Sequence, residues 1–296
     1  GRDPETGEIE IISETAFLIA TVDVQKNMFV VQVWSVIPGE PYDLALVERF
    51  DIRKSRRRDE DGDIQWVKPG TYLEDWDLLI EQVIRRTYRM EGRAERMAIR
   101  IIGCDSGGKA GVTANAYAFW RLLKAMGLGN RFLLLKGTGT PNAPQVRETF
   151  PDASDRKNLA TARGDVPVWM LNSNQLKNEA NNRLASEVPN KGMVRIPKWN
   201  PAWLFKEFCS EILKDKGWVK APGVRNNEAW DLLYYAIGLC MTKYIRCERP
   251  TFWDKPPVWA NPTDPDNPFI VKPGAEPFAE KQKTSYDLTE IASKIA

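Results

Sequence analysis

The chain has 296 residues and a mass of 33.7 kDa, with 43% hydrophobic and 28% charged residues. That is enough to bury a sizeable core and ordinary for a globular protein, so a collagen-like, coiled-coil or wholly disordered chain is excluded. No apolar run approaches the roughly 18 to 20 residues of a membrane span, and Gly1–Glu10 is too polar for a signal peptide; a soluble, intracellular protein is expected. The sequence contains no histidine, which removes Ser-His-Asp and Cys-His catalysis and HExxH zinc hydrolysis together. Four scattered cysteines without a CxxC pair argue against a zinc site or disulfide framework and for a reducing compartment. The net charge of +2 divides into −2 on residues 248–296 and +4 on the rest, which permits a nucleic-acid partner without requiring one.

In chain order, residues 1–13 read as a connector left over from something larger. Phe17–Val24, Met28–Val36 and Leu44–Ile52 are β-like runs close in sequence, an antiparallel meander. Leu73–Met90 has helical apolar spacing, and Ala98–Cys104 is a fourth strand. A helix over Thr113–Met126, a strand over Phe132–Leu135 and a Gly- and Pro-rich loop over 136–165 follow. Strand Val166–Leu171 then leads to helices over Gln175–Glu187, Ala202–Leu213 and Asn227–Arg246. Three strands followed by alternating helix and strand imply an α/β fold with a mixed sheet and helices on both faces. The body spans 14–247. Residues 248–296 hold 8 of the 20 prolines, a density that blocks regular structure, so an extended arm pinned by Trp253, Trp259 and Phe269 is expected.

Gly103-Cys104-Asp105-Ser106-Gly107-Gly108-Lys109-Ala110 matches two known patterns and satisfies neither. As a phosphate-binding loop it lacks the Ser or Thr after the lysine, and as a serine-protease loop it lacks a histidine base. An aspartate at the end of a buried strand remains, followed by glycines that let another backbone approach closely. The competing role for Asp105 is to cap the helix near Thr113. Asp23 closes the first strand in the same way, a charge in a run built for burial, which is costly unless paired or bound to a cation. Asp231 lies on the last helix with Glu228 three residues earlier, on one face. Singly, each acid is an ordinary cap or solvated residue. Together they suit a hard, oxygen-ligated cation such as Mg²⁺ or Mn²⁺.

The ordered motifs Ala20-Thr21-Val22-Asp23-Val24-Gln25, Ile102-Gly103-Cys104-Asp105-Ser106-Gly107-Gly108 and Asn227-Glu228-Ala229-Trp230-Asp231, with Tyr235-Ala236, resemble the nuclease domain of tailed-phage large terminase subunits in the lambda-like branch. The likeness runs over about residues 15–247, including Lys136-Gly137 and Trp218-Val219. It implies a ribonuclease-H-like fold and a two-metal endonuclease that cuts double-stranded DNA during genome packaging, with Asp23, Asp105 and Asp231 as metal ligands. It also implies a setting in the host cell cytoplasm, the terminase small subunit and the portal as partners, and no membrane. The packaging ATPase motif of large terminases does not occur in the sequence.

Phosphodiester hydrolysis by two divalent ions needs several carboxylates and no histidine. Asp23 is expected to bridge the ions, Asp105 and Asp231 to flank them and Glu228 to serve as an outer ligand. Candidate DNA contacts are Arg56 and Arg57 in a basic run, Lys109 beside the acids, and Arg156, Lys157 and Arg163 in the long loop. The acidic stretch Asp59–Asp63 makes a solvated hairpin tip an equal reading of the basic run. A Holliday-junction resolvase or transposase would use the same acids, and a non-catalytic assembly module would use them structurally.

Overall fold

The computed structural model describes residues 2–3, 6–108, 110–151 and 164–275. β1 (Glu10–Ile11) precedes β2 (Phe17–Val24), β3 (Phe29–Ile37) and β4 (Asp43–Ile52), and the last three form the expected antiparallel meander. β5 (Lys54–Arg58) and β6 (Ile64–Trp66) form a separate hairpin. Leu73–Ile84 winds as a 3-10 turn, the short α1 (Asp77–Leu79) and a π-turn. The helix expected over Leu73–Met90 therefore stops early. Thr87–Met90 is instead β7, whose Tyr88 and Met90 are buried and whose backbone pairs with β8 (Arg96–Asp105). Tyr and Met on alternate positions fit a strand as well as a helix, and the partner strand decides.

α2 (Val112–Ala125), β9 (Phe132–Thr138), β10 (Val146–Thr149), β11 (Val168–Asn172), α3 (Ser173–Ala185) and β12 (Val194–Arg195) follow. α4 (Ala202–Phe208) is shorter than the helix expected to reach Leu213, because the chain turns at Cys209-Ser210 into a hairpin of β13 (Glu211–Lys214) and β14 (Gly217–Lys220). α5 (Glu228–Cys240) ends six residues before the expected Arg246, and α6 (Pro250–Asp254) and β15 (Ile270–Val271) close the described chain.

The main sheet runs β10-β11-β9-β8-β2-β3-β4-β12. β2, β8, β9 and β11 are parallel neighbours, and β3, β4 and β10 pair antiparallel, so the sheet is mixed. Its two faces bury separate cores. Leu18, Ala20 and Val22 of β2 pack with Trp76, Ala116 and Phe119, whereas Phe17 and Ile19 pack with α5 residues Trp230, Leu233 and Ala236. Because side chains alternate along a strand, residues of odd number in this part of β2 face α5.

Of the proline-rich segment, residues 248–275 depart from an arm without regular structure by carrying short elements, and 276–296 lie outside the described residues. Trp253, Trp259 and Phe269 pack on the body as expected. Phe252, Trp253 and Trp259 surround buried Phe17, with ring centroids 6.4, 6.4 and 5.0 Å away, and β15 pairs with Arg96 and Met97. Arg100 lies over the rings of Trp259 and Phe269 at 4.7 and 5.2 Å. Among the described residues no helix is long and apolar enough to cross a membrane.

Candidate active site

Asp23 is the next odd position after Phe17, Ile19 and Thr21, so its carboxylate faces α5; Thr21 itself donates to the Leu232 carbonyl at 3.1 Å. Parallel pairing sets Val22 against Cys104, which brings the following residue of each strand, Asp23 and Asp105, to one end of the sheet. On β8 the even residues Ile102 and Cys104 enter the opposite core, so Asp105 shares the α5 face with Ile101 and Gly103. A Cβ on Gly103 would lie 2.7 Å from a terminal methyl of Leu135, which would have to shift to admit it.

The turn after Asp105 is built by the aspartate itself. Its Oδ1 accepts from the Gly107 amide at 3.0 Å, while the Thr113 hydroxyl donates to the Ser106 carbonyl at 2.8 Å. The N-cap of α2 is Gly111, with no side-chain cap, so Asp105 does not cap that helix. The expected close backbone approach falls elsewhere too: Gly108 takes φ +101° beside open space, and Gly111 is the residue in contact, where a Cβ would meet the Gly70 carbonyl at 2.0 Å.

α5 supplies the third wall. Its first turn holds Glu228 and Asp231, where the helix dipole favours negative charge, and Glu207 of α4 accepts from the Ala229 amide at 3.1 Å. One carboxylate oxygen of Glu228 is buried without a hydrogen-bond partner. Asp231 is gripped on two sides: the Lys177 ammonium is 2.8 Å from Oδ1, and Asn227 donates to Oδ2 at 2.9 Å. Lys177 is equally close, 2.8 Å, to Glu211 of β13.

The electrostatics link these acids. Burial pushes the Asp23 carboxyl from 3.8 to about 7; a hydrogen bond from Gln25 opposes the rise, and repulsion from Asp105, Asp231 and Glu228 adds to it. Burial also raises Asp105, against the Gly107 and Ser106 amides, Lys136 and a hydrogen bond from Tyr235. Burial raises Asp231 likewise, against Lys177. Asp23 thus feels the charge of the three other sequence-derived acids, from β8 and α5. Among the described residues, however, no group of three or more His, Cys, Asp and Glu side chains is arranged as a metal site. Lys177 and Gln25 engage Asp231 and Asp23 instead. The donor set suits a hard cation nonetheless: it is all oxygen, and its mutual repulsion would be relieved by positive charge.

Arg56 and Arg57 are engaged elsewhere. Arg57 is held by Asp75 at 2.9 Å and Gln65 at 2.6 Å and lies 3.6 Å over the Tyr72 ring, while Arg56 is ion-paired with Glu81. Both belong to the β5–β6 hairpin, whose tip is the acidic turn. Lys109, Arg156, Lys157 and Arg163 lie outside the described residues. Sequence reading missed Gln25, Lys177, Glu211 and Asn227. Only the buried position of Lys177 on α3, beside Leu176 and Ala180, marks it as unusual, and that requires the helix's inner face to be known.

An α/β protein with an acid-lined site at its central strand ends, faced by an acidic helix, is the class that these features define. Within that class, residues 5–251 match the family model described as terminase large subunit gpA, endonuclease domain, and the chain belongs to that family. Comparison with curated proteins and with solved structures returns no significant match.

Proposed function

We propose that the chain is the nuclease half of a large terminase, a divalent-metal-dependent endonuclease that cuts double-stranded DNA during viral genome packaging in the host cytoplasm. The observation that carries the reading is the meeting of carboxylates from three elements, Asp23 of β2 and Asp105 of β8 at one end of the sheet and Glu228 and Asp231 in the first turn of α5, where the other three repel the Asp23 carboxylate. Such repulsion between carboxylates on separate elements is what a bound cation offsets. The strand order β4-β3-β2-β8-β9, a meander joined to parallel strands, supports a ribonuclease-H-like fold. Family membership supports DNA as substrate and the small subunit and portal as partners.

In this reading Asp23, Asp105 and Asp231, with Glu228 as an outer donor, would hold two Mg²⁺ or Mn²⁺ ions. Such ions supply the Lewis acidity that activates water and stabilises the leaving 3′ oxygen. The chain's own residues arrange the donors. The Gly107 amide orients Asp105, while Asn227 and Lys177 orient Asp231. Lys136, which acts on Asp105 electrostatically, adds positive charge beside the acids. Supercoiled plasmid incubated with the chain and Mn²⁺ or Mg²⁺ should be nicked and linearised, and EDTA should stop it. Undiminished cutting in excess EDTA would overturn the metal-dependent reading.

A further inference from the structure

The strand that carries Asp23 turns at Gln25–Asn27, and two cavities open against that turn. One, of about 560 Å³, is lined by Gln25, Lys26, Asn27, Lys68 and Thr71; the other, of about 350 Å³, by Gln25, Lys26, Asn27, Arg53 and Trp66. They form one groove with Lys26 at its centre. Gln25, common to both, donates to the Asp23 carboxylate, so the groove begins where the acid site ends.

Two of the charges along it are uncommitted. Lys26 and Lys68 are exposed, and among the described residues neither has an ion pair, in contrast to Arg49, Arg56, Arg57 and Arg86 nearby. Lys54 stands 4.4 Å over the Trp66 ring, which is 47% exposed, and Arg53 shares Asp51 with Arg49. The acidic turn Asp59–Asp63 is at the far end of the hairpin, because Lys54 pairs with Trp66 and Arg58 with Ile64. Unpaired ammonium groups beside an acidic centre are free to engage a polyanion whose charge repeats at intervals.

We propose that this groove holds the phosphate backbone of duplex DNA and leads it to the acid site, with Lys26 and Lys68 as the principal phosphate contacts. The inference rests on the nuclease reading above and adds the side from which the substrate enters. Backbone contact of this kind gives affinity without base readout.

The test is fluorescence anisotropy of a labelled random-sequence duplex in EDTA, where nothing is cut, as a function of salt. Lys26→Ala/Lys68→Ala should weaken binding about tenfold at 0.1 M salt and lower the slope of log K against log salt by about 2. Lys26→Arg/Lys68→Arg should bind as the wild type does, which separates charge from fold. Lys243→Ala, which removes an ammonium paired with Glu148 at 2.8 Å, should change neither quantity. Wild-type affinity and slope in the alanine double variant, with metal-dependent cutting intact, would overturn the groove while leaving the nuclease reading in place. A wild-type chain that neither binds nor cuts duplex DNA would remove both.

Discussion

The Lys177 ammonium stands 2.8 Å from Asp231 and 2.8 Å from Glu211, so a single buried cation joins α3, α5 and the β13–β14 hairpin. Asn227 repeats the connection, donating to Glu211 at 2.8 Å and to Asp231 at 2.9 Å, and the Trp230 indole reaches Glu211 at 3.2 Å. The Lys177 and Glu211 side chains are 10% and 5% exposed, so both charges are largely withdrawn from water. Lys177→Met should cost about 3 kcal/mol in urea unfolding, since it leaves two facing carboxylates uncompensated. Adding Glu211→Gln should recover part of the loss. A single variant as stable as the wild type would show that the cation is dispensable.

Asp23 makes stability depend on pH in a definite direction. Its folded value, about 7, lies above its ordinary 3.8, so the folded chain holds the proton more tightly than the unfolded chain does. That stabilisation is complete below 3.8 and is lost as pH rises through about 7. Asp105 and Asp231 are raised too and act in the same sense. In EDTA, Asp23→Asn should therefore match the wild type near pH 4 and exceed it by only roughly 1–2 kcal/mol at pH 8, because the partly solvated carboxylate is screened by water. Denaturation curves across that range measure the divergence.

A divalent cation should reverse the order. At 100 times its Kd, Mg²⁺ or Mn²⁺ bound only to the folded chain adds about 2.7 kcal/mol. Thermal melts with and without metal should show the wild type gaining and Asp23→Asn gaining little. Equal gains in both would take Asp23 out of the binding site.

Cleavage should be lost more than 100-fold in Asp23→Asn, Asp105→Asn and Asp231→Asn, each of which removes a charge and almost no volume. Glu228→Gln, at an outer position, should lose less. Plasmid nicking rates at saturating Mn²⁺ rank the four, and a fully active Asp105→Asn would remove that residue from the chemistry.

Trp259→Ala should cost about 2 to 3 kcal/mol although it lies outside the sheet, because it removes an edge-to-face partner of buried Phe17 and the ring under Arg100. Burial, with no ion pair among the described residues, already lowers the Arg100 guanidinium from its ordinary value. A melt unchanged from the wild type would mean that the aromatic cluster only decorates the surface.

The acids were legible because each breaks a pattern: Asp23 and Asp105 end runs of apolar residues, and Asp231 interrupts a helix buried at nearly every other position. Lys177 and Glu211 break none, since a lysine in Ser173–Ala185 reads as helix surface and its partner is 34 residues away. The same limit explains Leu73–Met90 and Ala202–Leu213, where apolar spacing fits a helix or a strand until a pairing partner is present. Lys26 and Lys68 were passed over for the denser basic run at Arg56-Arg57-Arg58. Folding neutralises much of that run: Arg56 and Arg57 form ion pairs with acids from Leu73–Ile84.

The contact between Gly70 and Gly111 bears on how substitutions would be tolerated. A Cβ on Gly111 would come within 2.0 Å of the Gly70 carbonyl, and one on Gly70 within 2.8 Å of the Ala110 carbonyl, so the loop carrying Lys68 is fitted against the start of α2 with no room for a methyl group. Neither glycine has a side chain to offer DNA or metal. In a saturation screen read by cutting, both positions should nevertheless be as unforgiving as the aspartates, and for alanine as much as for larger residues. Their loss would part the basic wall from the acidic one, and the two chemistries would then survive in one molecule without meeting on the same strand of substrate.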